Sequence, residues 1–260
     1  MNETRSTLAG SRRTGWVAAS VSVLFALGSC ASLDQVFSAV TGEVPGEAFA
    51  AEMQMRVVFP LAFYGYGGDP AHGYGESIGT VWEQTDSESD DVVQYERALL
   101  RRNADGTMWW YVASGAHGEL SEFEVLVNER FEAIEMVWPD PDTGEIRRHT
   151  LREPVRARGE DVEESDAYVV PWHPDEVEDE VDDDYRVHRE QVNVTVAAGT
   201  FPAEYVRIEE RDDPRNVYEV WSSDDVPGRL IRHTITDGDD VWSGELIEVR
   251  SGYRTRFGAY

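Results

Sequence analysis

Hydrophobic and polar residues alternate along much of this chain with a period of two, the spacing at which successive side chains of an extended strand point to opposite faces. Met53, Met55, Val57 and Phe59 alternate with Gln54 and Arg56, and Pro60 ends that run. Phe123, Val125 and Val127 alternate with Glu122 and Glu124; Ile134, Met136 and Trp138 alternate around Glu135; Val192, Val194 and Val196 alternate with Gln191, Asn193 and Thr195. Turn formers separate such runs: Asn103 to Gly106, Pro139 to Gly144, Ala198-Gly199, Asp212 to Asn216, Asp224 to Gly228 and Asp237-Gly238. Short alternating runs divided in this way predict antiparallel hairpins. Val92 to Arg102 also fits a helical face through Val92, Glu96, Leu99 and Leu100, but the hairpin turn after it, feeding the β-prone Thr107 to Ala113, favours a strand. Trp109 and Trp110 are adjacent there, so a strand sends them to opposite faces.

Two stretches interrupt the pattern. Residues 63–79 hold six glycines and Tyr64, Tyr66 and Tyr74. This is either a ligand lid with an aromatic lip or a long turn whose tyrosines cover the edge of the core. Its glycines lack the spacing of a phosphate-binding loop. Residues 153–184 are dominated by acids, five of seven from Glu160 to Asp166 and eight of twelve from His173 to Asp184. Like charges at that density favour a loop, so this segment reads as an insertion between two β blocks, pinned at Trp172. The expected fold is mainly β: antiparallel curved sheets or a half-barrel, with a long acidic insertion and an N-terminal signal helix. The expected divisions are 1–29 signal, 30–51 tether, 52–152 first β block, 153–184 insertion and 185–260 second β meander.

The N-terminus follows another logic. Residues 1–15 are polar with Arg5, Arg12 and Arg13; Trp16 to Leu27 is apolar; Gly28, Ser29 and Cys30 follow. A basic start, a short apolar run and small residues before a cleavage point make a secretory signal, too short to span a bilayer. Leu27-Gly28-Ser29-Cys30 resembles a prokaryotic lipobox. The resemblance implies diacylglyceryl transfer to the Cys30 thiol and cleavage before it, hence an exported protein lipid-anchored to a cell or outer membrane. Ser11-Arg12-Arg13 resembles part of a twin-arginine export signal, with Gly15 where that pattern wants an apolar residue.

Charge narrows the partners. The chain carries 51 acidic and 23 basic residues, net −28, and every basic residue is arginine. Nucleic acid phosphates would be repelled. So acidic a surface, spread along the chain, suits a protein kept soluble at high salt, as in a halophilic setting. Cys30 is the sole cysteine, so once acylated it leaves no thiol for a disulfide, a metal or catalysis.

Candidate chemistry is sparse. No pair among His72, His117, His149, His173, His188 and His233 has metalloprotease spacing. Asp182 to Asp184 and Asp237 to Asp240 are oxygen-rich, but neither follows the twelve-residue calcium loop. No catalytic residue, metal ligand or cofactor is assigned. Val196-Ala197-Ala198-Gly199-Thr200-Phe201, Trp221 and Val226-Pro227-Gly228 are similar to stretches of exported proteins with the half-barrel fold of lipoprotein carriers; the resemblance spans 187–250 and implies a curved sheet with one concave apolar face. The resulting expectation is a non-enzymatic lipoprotein whose β surface binds a hydrophobic or amphiphilic ligand, or an envelope partner, through Tyr64, Tyr66, Tyr74, Trp109, Trp110 and Trp221. The competing expectations are a structural envelope protein and an envelope hydrolase using His117 or His72.

Overall fold

The computed structural model describes residues 72–87, 92–116, 118–141, 143–156 and 185–260, with backbone alone at 155 and 156. The signal segment, Cys30, the strand expected at 53–59, Tyr64, Tyr66, His117, His173 and the acidic segment beyond 156 lie outside the described residues.

Eleven strands form one open antiparallel sheet among the described residues. They are β1 (Ile78–Asp86), β2 (Val92–Arg102), β3 (Met108–Ala116), β4 (Glu119–Val127), β5 (Glu132–Pro139), β6 (Ile146–Arg156), β7 (Tyr185–Val196), β8 (Gly199–Glu210), β9 (Val217–Ser222), β10 (Leu230–Asp237) and β11 (Asp240–Ser251). The order is β6-β5-β4-β3-β2-β1-β11-β10-β9-β8-β7. Strands consecutive in sequence pair, except that β6 and β7 form the two edges and the first strand pairs with the last. Two meanders therefore run outward from the β1–β11 seam, and the two β blocks share one sheet.

The turns are those the sequence marks. Asp237 faces Asp240 across a two-residue loop whose Gly238 has φ 64°, the left-handed conformation such a hairpin needs. Asn103 N–H donates to Thr107 O at 2.8 Å and Gly106 N–H to Asn103 O at 3.1 Å. Register shifts at Val81/Trp82, Leu99/Arg101, Leu126/Val127, Ala133/Glu135 and Leu230/Arg232 bend the strands, as an extra residue in a ladder does.

Alternation assigns the two faces. One contiguous apolar cluster covers the inner face, including Trp82, Leu99, Trp110, Val112, Val125, Met136, Val206, Val220, Ile231 and Leu246. A second, smaller cluster lies on the outer face of β2, β3 and β5: Ala98, Leu100, Trp109, Tyr111, Ala113 and Val137, joined by Ala259. Trp109 and Trp110 thus occupy opposite faces, as their adjacency requires. β3 is buried on both sides from Met108 to Ala113, which explains why its apolar residues run unbroken instead of alternating.

The β7–β8 hairpin changes face along its length. Near its open end Val187 and Ile208 point inward; near the tip the buried residues are Val194, Val196 and Ala203, on the other parity. The change falls where β8 stops pairing with β9, at Glu204. Beyond that point the tip reaches across to β11, where Ala198 N–H donates to Leu246 O at 3.4 Å. Arg232 Nη2 also donates to Thr195 O at 3.2 Å.

Candidate functional site

The inner face near the seam carries a small polar island. Thr80, Arg97 and His233 are buried there, among Tyr74, Trp82, Tyr95 and Trp110. Arg97 Nε and Nη2 donate to Tyr74 Oη at 3.2 and 3.0 Å, and Tyr74 Oη lies 2.7 Å from Thr80 Oγ1. The guanidinium also sits over the Tyr74 ring, 5.1 Å from its centroid, and the ring meets Trp110 edge-on at 5.0 Å. Burial drives the Tyr95 phenol above its ordinary range, a shift that nearby Arg97 moderates. His233 stacks on Trp82 at 6.4 Å, and its ring lies where a side chain on Gly244 would stand, 2.4 Å from an added Cβ. Burial pushes its imidazole down to about 4, so it is neutral at physiological pH.

Tyr74 is therefore core, not lip. Its loop is pinned: Gly228 N–H donates to His72 O at 2.9 Å, and Gly73 packs on Pro227. Trp110 is likewise wholly buried on the inner face, and Trp109 lies buried on the outer face, with Arg148 5.8 Å from its ring centroid. Trp221 lies on the other half of the sheet, apart from the other three. Of the four predicted aromatic residues within the described region, the structure brings together only Tyr74 and Trp110.

Of the two histidines weighed for a hydrolase, only His72 is among the described residues, and it faces an exposed acid. His72 Nε2 lies 3.3 Å from Asp224 O and 3.9 Å from its carboxylate, which is 74% exposed. A general base needs an orienting acid held in place. The Asp237 turn packs acids around Arg215: partial burial, then Asp240, Asp213 and Glu210, raise the Asp237 carboxyl above its ordinary value, while Arg215 opposes this.

The outer face divides into two halves. Over β2 to β5 it is roofed by the C-terminal segment, residues 252–260. Buried Glu124 accepts from Thr255 Oγ1 at 2.8 Å, Arg256 N–H at 2.5 Å and Phe257 N–H at 3.4 Å. Glu96 accepts from Tyr253 Oη, and from Arg250 Nη1 at 3.1 Å. The Arg256 guanidinium reaches Glu122 and donates to Tyr111 Oη at 3.1 Å, while Tyr111 Oη donates to Glu122 at 2.6 Å. Arg148 Nη2 holds Ala259 O at 2.8 Å. Burial, then the neighbouring carboxylates, push the phenols of Tyr111 and Tyr253 above their ordinary range.

Over β8 to β10 the aromatics are half-buried: Trp221 packs against the main apolar cluster, and the β7–β8 tip meets Arg232 at Thr195 O. Tyr205 and Trp221 lie side by side, ring centroids 4.9 Å apart, with Arg232 5.7 Å from the Trp221 centroid and His188 edge-on to Tyr205 at 6.2 Å. Tyr205 Oη donates to Glu219 at 2.5 Å; burial, then that carboxylate, push its phenol up to about 12. Around them run cross-strand ion pairs: Arg207–Glu219 at 3.4 Å, Arg186–Glu209 at 3.8 Å and Arg232–Glu245 at 3.0 Å.

No family model matches the chain, and no curated protein matches its sequence. Distant likenesses occur among solved structures. A candidate lipoprotein from Parabacteroides distasonis is 10% identical with a TM-score of 0.33, covering 69% of this chain and 97% of its own. A candidate exported protein with a YmcC-like fold from Bacteroides fragilis is 8% identical with a TM-score of 0.34, over 69% and 98%. MucB in its complex with MucA from Pseudomonas aeruginosa is 13% identical with a TM-score of 0.40, over 76% of this chain and 56% of that one. Similarity at this level carries no functional argument.

Proposed function

We propose that this chain is an exported, non-enzymatic envelope protein, lipid-anchored at Cys30, whose sheet binds a protein partner over the open half of its outer face. The observation that carries this reading is the half-buried cluster of Tyr205, Trp221 and Arg232. Trp, Tyr and Arg supply most of the anchoring energy in protein interfaces, because they combine large apolar area with a polar tip. The bordering ion pairs resemble the polar rim that surrounds such anchors. The inner face supports an apolar ligand less well, since the residues that would line it, Trp110, Val112, Val125 and Met136, are buried. Export and anchoring rest on the N-terminal sequence, from Arg5 to Cys30.

The test is a photo-crosslinking residue placed at 221 in cells that make the protein. The reading expects a discrete protein adduct that Arg232→Glu abolishes. No protein adduct at 221, or capture of lipid alone, would overturn it. Cys30→Ser should separately release the protein from the membrane fraction; retention would refute the anchor.

A further inference from the structure

The C-terminal segment is bound to the sheet much as a peptide ligand is bound to a receptor. We propose that the outer face of β2 to β5 is a recognition groove for an extended basic–aromatic segment, and that residues 253–257 occupy it in cis as its resident ligand. This inference stands apart from the reading of Trp221 and does not depend on it.

Three features of the segment carry the proposal. First, it is not a strand: after Ser251 it leaves the sheet at Gly252, whose φ is 90° and where an added Cβ would meet nothing within 4 Å. It lies across the sheet instead of extending it. Second, the groove reads it by polar contacts, not burial alone. Glu124 is fully buried, and it accepts from three tail groups: one hydroxyl and two backbone N–H donors. Two successive N–H groups donating to one carboxylate oxygen, with a side-chain hydroxyl on the other, recognise a particular local backbone and a Ser or Thr at that place. Third, charge matches. Glu122 meets the Arg256 guanidinium and Glu96 accepts from the Tyr253 hydroxyl, while Phe257 and Ala259 lie on the apolar patch of Ala98, Leu100, Trp109, Tyr111 and Val137.

The partner that fits is an extended segment presenting Tyr-x-Thr-Arg-Phe chemistry: a phenol, a hydroxyl, a guanidinium and an apolar ring in that order. A tethered resident acts at high effective concentration, so an incoming segment gains access when the resident lifts at Gly252 while the sheet stays folded.

The experiment uses a fluorescein-labelled peptide of residues 252–260 against the full chain, and against a chain carrying Thr255→Ala and Arg256→Ala. These changes weaken the resident and leave the groove intact. Saturable binding should be roughly tenfold or more tighter to the double variant than to wild type, about the factor one charge-assisted hydrogen bond supplies. A scrambled peptide of the same charge should not bind. If the folded double variant fails to bind the peptide, or the scrambled peptide binds equally well, the proposal is overturned. Amide hydrogen exchange on the wild-type chain gives an independent reading. Amides of 253–259 should exchange well before those of β3; exchange of both at one common rate would mean that the segment never lifts separately, and would also overturn the proposal.

Discussion

The two halves of the outer face begin from similar materials and end differently. Each places a tryptophan and a tyrosine on neighbouring positions of the same side of the sheet, Trp109 with Tyr111 in one half and Trp221 with Tyr205 in the other. Each surrounds them with arginine and glutamate. In the first half the C-terminal segment covers the aromatics and buries Glu124, while the Arg256 guanidinium stays 55% exposed at its edge. In the second half Arg207, Arg232, Glu219 and Glu245 stay near solvent and pair across strands. The same residue types are thus fully buried in one half and half-buried in the other. Burial, not composition, sets their role: a charge-assisted bond sealed from water contributes far more than an exposed ion pair.

The largest test of this contrast compares the tryptophans. Trp109→Ala should lower unfolding free energy by about 3–5 kcal/mol, the usual loss for a buried aromatic. Trp221→Ala should cost less than half as much in the same urea titration. Equal losses would erase the distinction between the halves.

A second test asks whether the halves nevertheless unfold as one body. His233 lies under their shared inner face with its imidazole held at about 4, below the ordinary 6.5. The unfolded chain therefore binds a proton between those values that the folded chain refuses. Its contribution is full above pH 6.5 and is lost as pH falls toward 4, by about 3 kcal/mol. Comparison with His233→Gln isolates this from the acids. Fluorescence and circular dichroism should report one transition; two separated transitions would show that the seam does not couple the halves.

Smaller effects separate the polar groups. Glu124→Gln should cost about 1–3 kcal/mol, because it unbalances donors sealed under the segment. Arg207→Ala in the open ladder should cost about 1 kcal/mol or less. Urea midpoints of the two variants check both values, and a larger loss at Arg207 would contradict the burial argument. The smallest expected change is with salt. At net −28, raising NaCl from about 0.05 M to about 2 M should increase the melting temperature, as screening shortens the reach of repulsion; an unchanged midpoint would count against this.

Much of the fold was legible because strand alternation leaves a direct trace. Val125, Met136, Val194 and Val196 declare their buried side by their spacing, and Asp237-Gly238 declares its hairpin. The roof was not legible. Glu122 and Glu124 read as an exposed polar side, since nothing local shows that residues over a hundred positions away will cover them. The unbroken run Met108 to Ala113 was the available signal: a strand apolar on both parities has both faces buried, so something must cover the second. The aromatic set was legible residue by residue but not as a site. Tyr74 and Trp110 belong to the inner core, Trp109 to the roofed half and Trp221 to the open half, a division set by register across β2, β3, β8 and β9. The β7–β8 hairpin also carried its own signal: its apolar positions pass from odd to even numbers between Val187 and Val192, marking the change of face.

Hydroxyl-radical footprinting of the native protein tests the divided outer face most directly. Trp221 and Tyr205 should be oxidised early, while Trp109 and Tyr111 stay protected until the C-terminal segment lifts or the sheet unfolds. Equal oxidation of both pairs in the folded protein, or protection of Trp221 with exposure of Trp109, would contradict the account.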